Sequence, residues 1–393
     1  MSTGPVWAGP ADLDLEHAMN GFRLLSLSLA LCASLPVLAE PAQAAAACCR
    51  AANLNALPML DDLMPALLDK RVIYLGERHD RYEHHLAQLE ILRRLHKAYP
   101  EIAIGMELFP QGVQADLDAW VAGAIDETAL LRRTDYFRGA LDYRLYRPIL
   151  QFARAQRIPL VGLNLPDEIS RKVARDGIAA LSVTERLWLP AQVEPAAERY
   201  RQRLRDAFDQ HPPHVRRDFD NFLTAQVLKD EAMAARAADY LLRNPTRRLV
   251  VLAGNGHLLF GDGIPKRLTR RLAAPSIVVV NNPGNEIAAD MADILLFPDK
   301  QELPAAGRLG IAMSDGPAGL RVDDSEADGA ARAAGILPGD ILLALNGQPL
   351  PDTVALKAGL LDAKPGDKVK LKVRRPASAF APEREQEVDV TLK

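Results

Sequence analysis

Between residues 71 and about 297, short apolar runs alternate with longer stretches of helical character. The runs cover 72–75, 102–106, 158–163, 249–253, 277–280 and 294–297, mostly bounded by Gly, Pro, Asn or charge. Each is continuous rather than alternating. A strand with one wet face alternates, whereas a strand buried on both faces of a parallel sheet is apolar throughout. Strand–helix alternation then predicts an α/β sheet with helices on both faces. The first helix is expected after the first strand, capped by Asp80, with Leu86, Leu89, Leu92 and Leu95 at 3–4 spacing. The stretch from about 167 to 245 reads as mainly helical, broken at Pro212-Pro213.

After Pro298 the character changes. Residues 299–307 read as a linker between an α/β domain (48–298) and a small β-rich module (308–393). Strands are expected at 309–313, 320–322, 341–345, 369–373 and 388–392, with a turn at Asn346-Gly347 and a helix over 353–361.

The first 47 residues are set aside as a leader. Residues 24–39 are apolar and uncharged, and their 16 residues fall short of the roughly 20 that span a bilayer. Arg23 precedes them and Ala42-Gln43-Ala44 follows, the pattern of a cleaved secretory signal. Met19 stands where such a signal begins, so residues 1–18 read as an over-long start. Cys48 follows a small-residue run and is a candidate lipid-bearing N-terminus; the alternative is an exposed Cys48-Cys49 pair in a flexible leader. Either way the expected location is the periplasm, or an association with the outer membrane.

Composition excludes several classes. With 48% hydrophobic and 25% charged residues the chain is not generally disordered. A net charge of −3 argues against a nucleic-acid binder relying on bulk positive charge. Three cysteines make neither a disulfide framework nor a multi-thiolate zinc site.

Ligands of open α/β sheets sit beyond the carboxyl ends of the strands. There the sequence places Glu77 and His79, then Glu107, then Asn164, then Asn255 and His257. Two histidines and two carboxylates on one rim are the donor set of a metal or acid–base site. A second group is His84, His85 and Gln88 on the first helix. A third combines Tyr136, Tyr143 and Tyr146 with Arg133, Arg138, Arg144 and Arg147. It reads either as a solvated helix whose tyrosines cover core, or as a slot for a flat macrocycle. In the second case the arginines would meet propionates and a tyrosine would ligate ferric iron. A fourth, Gln226, Asp230 and Met233, falls on one helical stripe and reads as a rim.

Residues 71–297 resemble the ChaN-type haem-binding uptake family, related to erythromycin esterases and the Tiki/TraB metalloproteases. The matching segments are LGERHDRYEHHLAQLEIL, IGMELFP, YRPIL, VGLNLP, AQVLKDEAMA and VLAGNGHLLFGDGIP. The resemblance implies an exported protein that holds haem through a tyrosine and works as a homodimer. Tyr146 and Tyr143 are the candidate ligands, with Tyr136 behind them and His84, His85, Arg144, Arg147 and Asn164 as further cofactor contacts. It also maps Glu77, His79, Glu107 and His257 onto the wider group's hydrolytic rim, so the alternative is a hydrolase using a divalent metal ion. Residues 308–393 resemble a bacterial PDZ module through Arg308-Leu309-Gly310-Ile311 and AAGILPGDIL. That implies capture of a peptide C-terminus by β-augmentation, with Leu309, Gly310 and Ile311 as the carboxylate-binding loop. The favoured reading is a non-catalytic haem binder with a peptide-recruiting arm. A PDZ adaptor on a pseudo-enzyme is a third.

Overall fold

All six apolar runs of the first domain form strands: β1 (Val72–Glu77), β2 (Ile102–Pro110), β3 (Leu160–Asn164), β4 (Arg248–Gly254), β5 (Ser276–Asn281) and β6 (Ile294–Leu296). They pair in parallel in the order β3-β2-β4-β1-β5-β6. The computed structural model describes residues 53–393, apart from 140, 211, 213–217, 282–283, 285–286 and 378–381. The leader, Met19, Cys48 and Cys49 lie outside the described residues, as does much of the stretch after Pro212.

The helices connect the strands. α1 (Leu60–Leu68) leads into β1, and α2 (Tyr82–Ala98) follows it. α3 (Gln114–Val121), α4 (Glu127–Arg133) and α5 (Tyr143–Gln156) lie between β2 and β3. α6 (Asp167–Asp176), α7 (Val183–Arg186), α8 (Glu198–Gln210) and α9 (Phe219–Arg243) lie between β3 and β4, and α10 (Ile264–Arg271) between β4 and β5. Successive strand residues face opposite ways. Ile73 and Leu75 therefore join one core with Leu89 and Leu92 of α2 and Ile149 of α5. Val72 and Tyr74 join the other, with Met233 and Ala237 of α9 and Leu268 of α10. Both faces are covered, which is why the strands carry no alternation.

Two local expectations shift. Asp80 does not cap α2: the N-cap is Arg81 without a side-chain bond, and Asp80 lies instead 3.8 Å from Arg78 and 4.0 Å from Arg81. Ile158 precedes β3, because α5 ends in a left-handed Arg157 (φ 53°) and Pro159 has no N–H to give a ladder.

The second module is antiparallel. Its strands are β7 (Ile311–Gly316), β8 (Gly319–Ser325), β9 (Ile341–Leu345), β10 (Gln348–Pro349), β11 (Lys368–Arg375) and β12 (Arg384–Thr391), in the order β12-β11-β9-β8-β7 with β10 beside β9. Asn346 (φ 49°) and Gly347 (φ 80°) make the left-handed pair that a two-residue hairpin needs. α11 (Ala330–Ala333) is short, and α12 (Thr353–Gly359) is the expected helix, capped by Asp352 onto Ala355 N. Leu356 and Leu360 pack into the module's own core. Val354, Ala358 and Leu361 pack against the core of the first domain.

Candidate functional site

Strands β2, β4 and β1 are adjacent, so their carboxyl ends meet. This brings Glu107, His257 and the Glu77–His79 segment to one place. A cavity of about 650 Å³ opens there, within the roughly 300–1,000 Å³ common for small-molecule sites. Its wall includes His79, Glu107, Phe109, Tyr136, Phe137, Tyr146, Asn164 and Trp188. Arg133, Arg138, Arg171 and Lys229 supply its cations.

The rim is organised as two hydrogen-bonded groups. In the first, Tyr146 Oη donates to buried Glu77, and His79 Nδ1 lies 2.8 Å from Glu77 Oε1 and 3.0 Å from Tyr146 Oη. An ionised carboxylate only accepts, so Nδ1 carries the hydrogen. Gln88 Nε2 donates to the second Glu77 oxygen at 2.7 Å, and the His85 ring packs tilted against the Tyr146 ring, with centroids 4.3 Å apart. Burial alone would raise the Glu77 carboxyl. The facing His85 and His79 and the Tyr146 hydroxyl outweigh it and hold its pKa at about 2.

In the second group, His257 Nδ1 donates to Asp230 at 2.6 Å and Nε2 faces Glu107 at 3.0 Å. A ring flanked by two carboxylates uses both nitrogens as donors and is therefore cationic. Burial would lower its pKa, but Glu107 and Asp230 lift it to about 9. Glu107 also accepts from Gly254 N at 2.8 Å and Lys229 Nζ at 3.3 Å. His257 and Lys229 hold it well below the usual carboxylate range against the effect of burial. Tyr200 donates to the far oxygen of Asp230, which closes the chain.

Of the sequence candidates, His79, Glu107, Arg133, Tyr136, Arg138, Tyr146, Asn164 and Gln226 line the cavity. Glu77 and His257 stand behind it. Among the described residues, no three His, Cys, Asp or Glu side chains form a group suited to a metal ion. His84 takes Arg78 N on its Nδ1, and burial lowers its pKa to about 4. His85 Nε2 donates to His79 O at 3.1 Å. Tyr143 donates to Glu127 at 2.9 Å, away from the cavity. Arg144 binds Asp142 and Pro304 O, and Arg147 binds Glu127 and Asp362. Both arginines face the linker and the second module instead of the cavity. Sequence reasoning did not single out Lys229, Arg171 or Tyr200. The signal for Lys229 was its place in AQVLKDEAMA, beside two acids, Asp230 and Glu231, that are fully buried.

Tyr136 differs from the other two tyrosines. Its hydroxyl is buried and has no hydrogen-bond partner among the described residues. Burial, with Asp142 and Glu77 nearby, raises its pKa far above the ordinary phenol value.

In the second module, Leu309 is buried, and Gly310 has φ +67°, with Gly329 Cα 2.8 Å from where a Cβ would stand. Ile311 opens β7, the edge strand, whose only partner among the described strands is β8. β-Augmentation requires such an edge, with one side unpaired among the described strands.

Residues 63–268 match the family of haem-binding uptake proteins of the ChaN type in the Tiki superfamily. The chain belongs to this family. Residues 307–392 match the PDZ domain. The chain is also similar to Protein RETICULATA-RELATED 5, chloroplastic, of Arabidopsis thaliana, at 26% identity over 262 residues; the match takes in 63% of this chain but spans only 34% of that protein. Among solved structures it is similar to ChaN of Campylobacter jejuni, described with cofacial haem, at 19% identity and a TM-score of 0.47, over 60% of this chain and 90% of that one. An open erythromycin esterase is similar at 15% identity and a TM-score of 0.38, over 84% and 89%.

Proposed function

We propose that the protein binds haem in the cavity beyond β1, β2 and β4, at the cell envelope, and recruits a partner's C-terminus through its PDZ domain. The observation that carries this reading is Tyr136, which lines the cavity and whose buried hydroxyl has no hydrogen-bond partner among the described residues. An unpaired buried hydroxyl costs stability unless a ligand completes it. A ferric porphyrin supplies a Lewis-acidic iron, for which a phenolate is an oxygen ligand. Tyr136 is the ligand we assign. Phe109, Phe137 and Trp188 offer apolar wall, and Arg133 and Arg138, on loosely paired exposed positions, are placed to meet propionates. Tyr146 and His79 close the floor. His257 is held cationic between two carboxylates, which suits charge balance around Glu107 better than general-base work.

Export and envelope location follow from the leader, and a fusion of residues 19–60 to a phosphatase active only outside the cytoplasm tests them. Acylation at Cys48 and homodimer formation belong to the same proposal. Haemin titration of the mature protein tests the binding reading. A saturable Soret shift with a tyrosinate-ligated ferric spectrum is expected. Featureless, non-saturating absorbance would refute it, and chelator-sensitive ester or peptide hydrolysis in its place would favour the hydrolase.

A further inference from the structure

The PDZ groove and the haem cavity share a wall. The groove lies between edge strand β7 and helix α12, and both ends of α12 are fastened to the first domain. Arg132 of α4 grips Asp352, the N-cap of α12, through Nε at 2.7 Å and Nη2 at 3.1 Å. Arg147 of α5 grips Asp362 beyond the other end with two bonds while also holding Glu127. Between the two, Val354, Ala358 and Leu361 rest on the first domain's core. Lys357 Nζ lies 4.8 Å above the Phe137 ring, and Phe137 packs edge-on against Tyr136 at 5.9 Å. Both aromatics line the cavity. On its other side α12 is clipped to β7: Thr353 N and Oγ1 donate to Asp315 Oδ1 at 2.7 and 2.6 Å.

We infer that peptide and haem bind antagonistically, because each sets the position of α12. The inference rests on the binding reading above and concerns its regulation. A peptide strand inserted beside β7 must part the Asp315–Thr353 clip and move α12 outward. The outward side is occupied by α4, Phe137 and Tyr136, so the cavity wall must yield. A haem that fixes Tyr136 and Phe137 holds α12 against β7 in turn. Linkage makes the effect equal in both directions.

The test uses the full mature chain, haemin, and a fluorescein-labelled octapeptide pool ending in Leu, Val or Phe with free carboxylates. The C-amidated pool is the control. The free-acid pool at saturation should raise the haemin Kd at least about fivefold, and haemin should weaken the pool by the same factor. An Arg132→Ala, Asp362→Ala double variant should bind both ligands with less than about twofold linkage. If both bind the wild type and the affinities are independent, or rise together, the antagonism is wrong while haem and peptide binding stand. If the free-acid pool binds no better than the amidated one, the PDZ reading fails and takes the antagonism with it. If haemin does not bind, the cavity reading fails.

Discussion

His257 shows how much of the site rests on charge pairing. Its pKa is raised from 6.5 to about 9 by Glu107 and Asp230. A raised folded-state pKa gives stability that is fully present below the unfolded value and lost as pH rises through the folded one. Urea midpoints should therefore fall between pH 6.5 and about 9, by a loss on the order of 2–3 kcal/mol. The same series on His257→Gln should be flat in that window; an equal slope would place the titration elsewhere. Glu77 works with the opposite sign. Its depressed pKa gives stability that is lost as pH falls from 4.5 toward 2. Gly254 is a residue-scale test of the rim's rigidity. Its φ of −56° suits alanine, so Gly254→Ala alone would add stability through the unfolded chain. A Cβ there, however, would stand 2.9 Å from His79 Nε2, and His79 is fixed by Glu77 and Tyr146. We expect a loss of about 1–3 kcal/mol in urea denaturation, and a gain would show that His79 yields freely.

At the level of elements, continuous apolar runs located all six parallel strands, because burial on both faces removes every polar position. Strand ends were less legible. β2 continues through Glu107 to Pro110 because Phe109 is itself buried, and nothing in the local sequence says so. The pairings at the rim depend on β4 lying between β2 and β1, an order set by tertiary packing. Hence Glu77–Tyr146 and Glu107–His257–Asp230 could not be read from spacing. Asp230 read as a helix rim because a polar stripe of Gln226, Asp230 and Met233 on a long helix is ordinarily a rim; here Asp230 is fully buried beneath His257. Helix α12 has a dual role at this scale. Asp352 caps it and also takes Arg132, so Asp352→Ala should cost about 1 kcal/mol, mostly from the cap, since the half-exposed ion pair adds little. Thermal unfolding of the full chain measures it, and an unchanged midpoint would mean that packing on the first domain alone holds the helix.

On the scale of the whole molecule, a haem-family α/β domain and a PDZ domain meet along α4, α5 and α12. Arg144 and Arg147 read as propionate ligands in the sequence, since they share a helix with Tyr143 and Tyr146. They bind the linker and the PDZ domain, a destination that only the packing of the two units determines. Gly310 tests the PDZ arm. Its φ of +67° and the crowding by Gly329 leave no room for a side chain, so Gly310→Val should abolish free-carboxylate peptide binding while haemin binding persists. Retained peptide binding would move the carboxylate site away from this loop.

Tyr136 is the proposed ligand of haem iron. Parallel haemin titrations of the wild type and the Tyr136→Phe, Tyr146→Phe and Tyr143→Phe variants test it most directly. Tyr136→Phe should abolish the tyrosinate-ligated spectrum and weaken binding at least about tenfold, or ~1.4 kcal/mol, while Tyr143→Phe stays within about twofold. A Tyr136→Phe protein with the wild-type spectrum and affinity would rule out Tyr136 as the ligand.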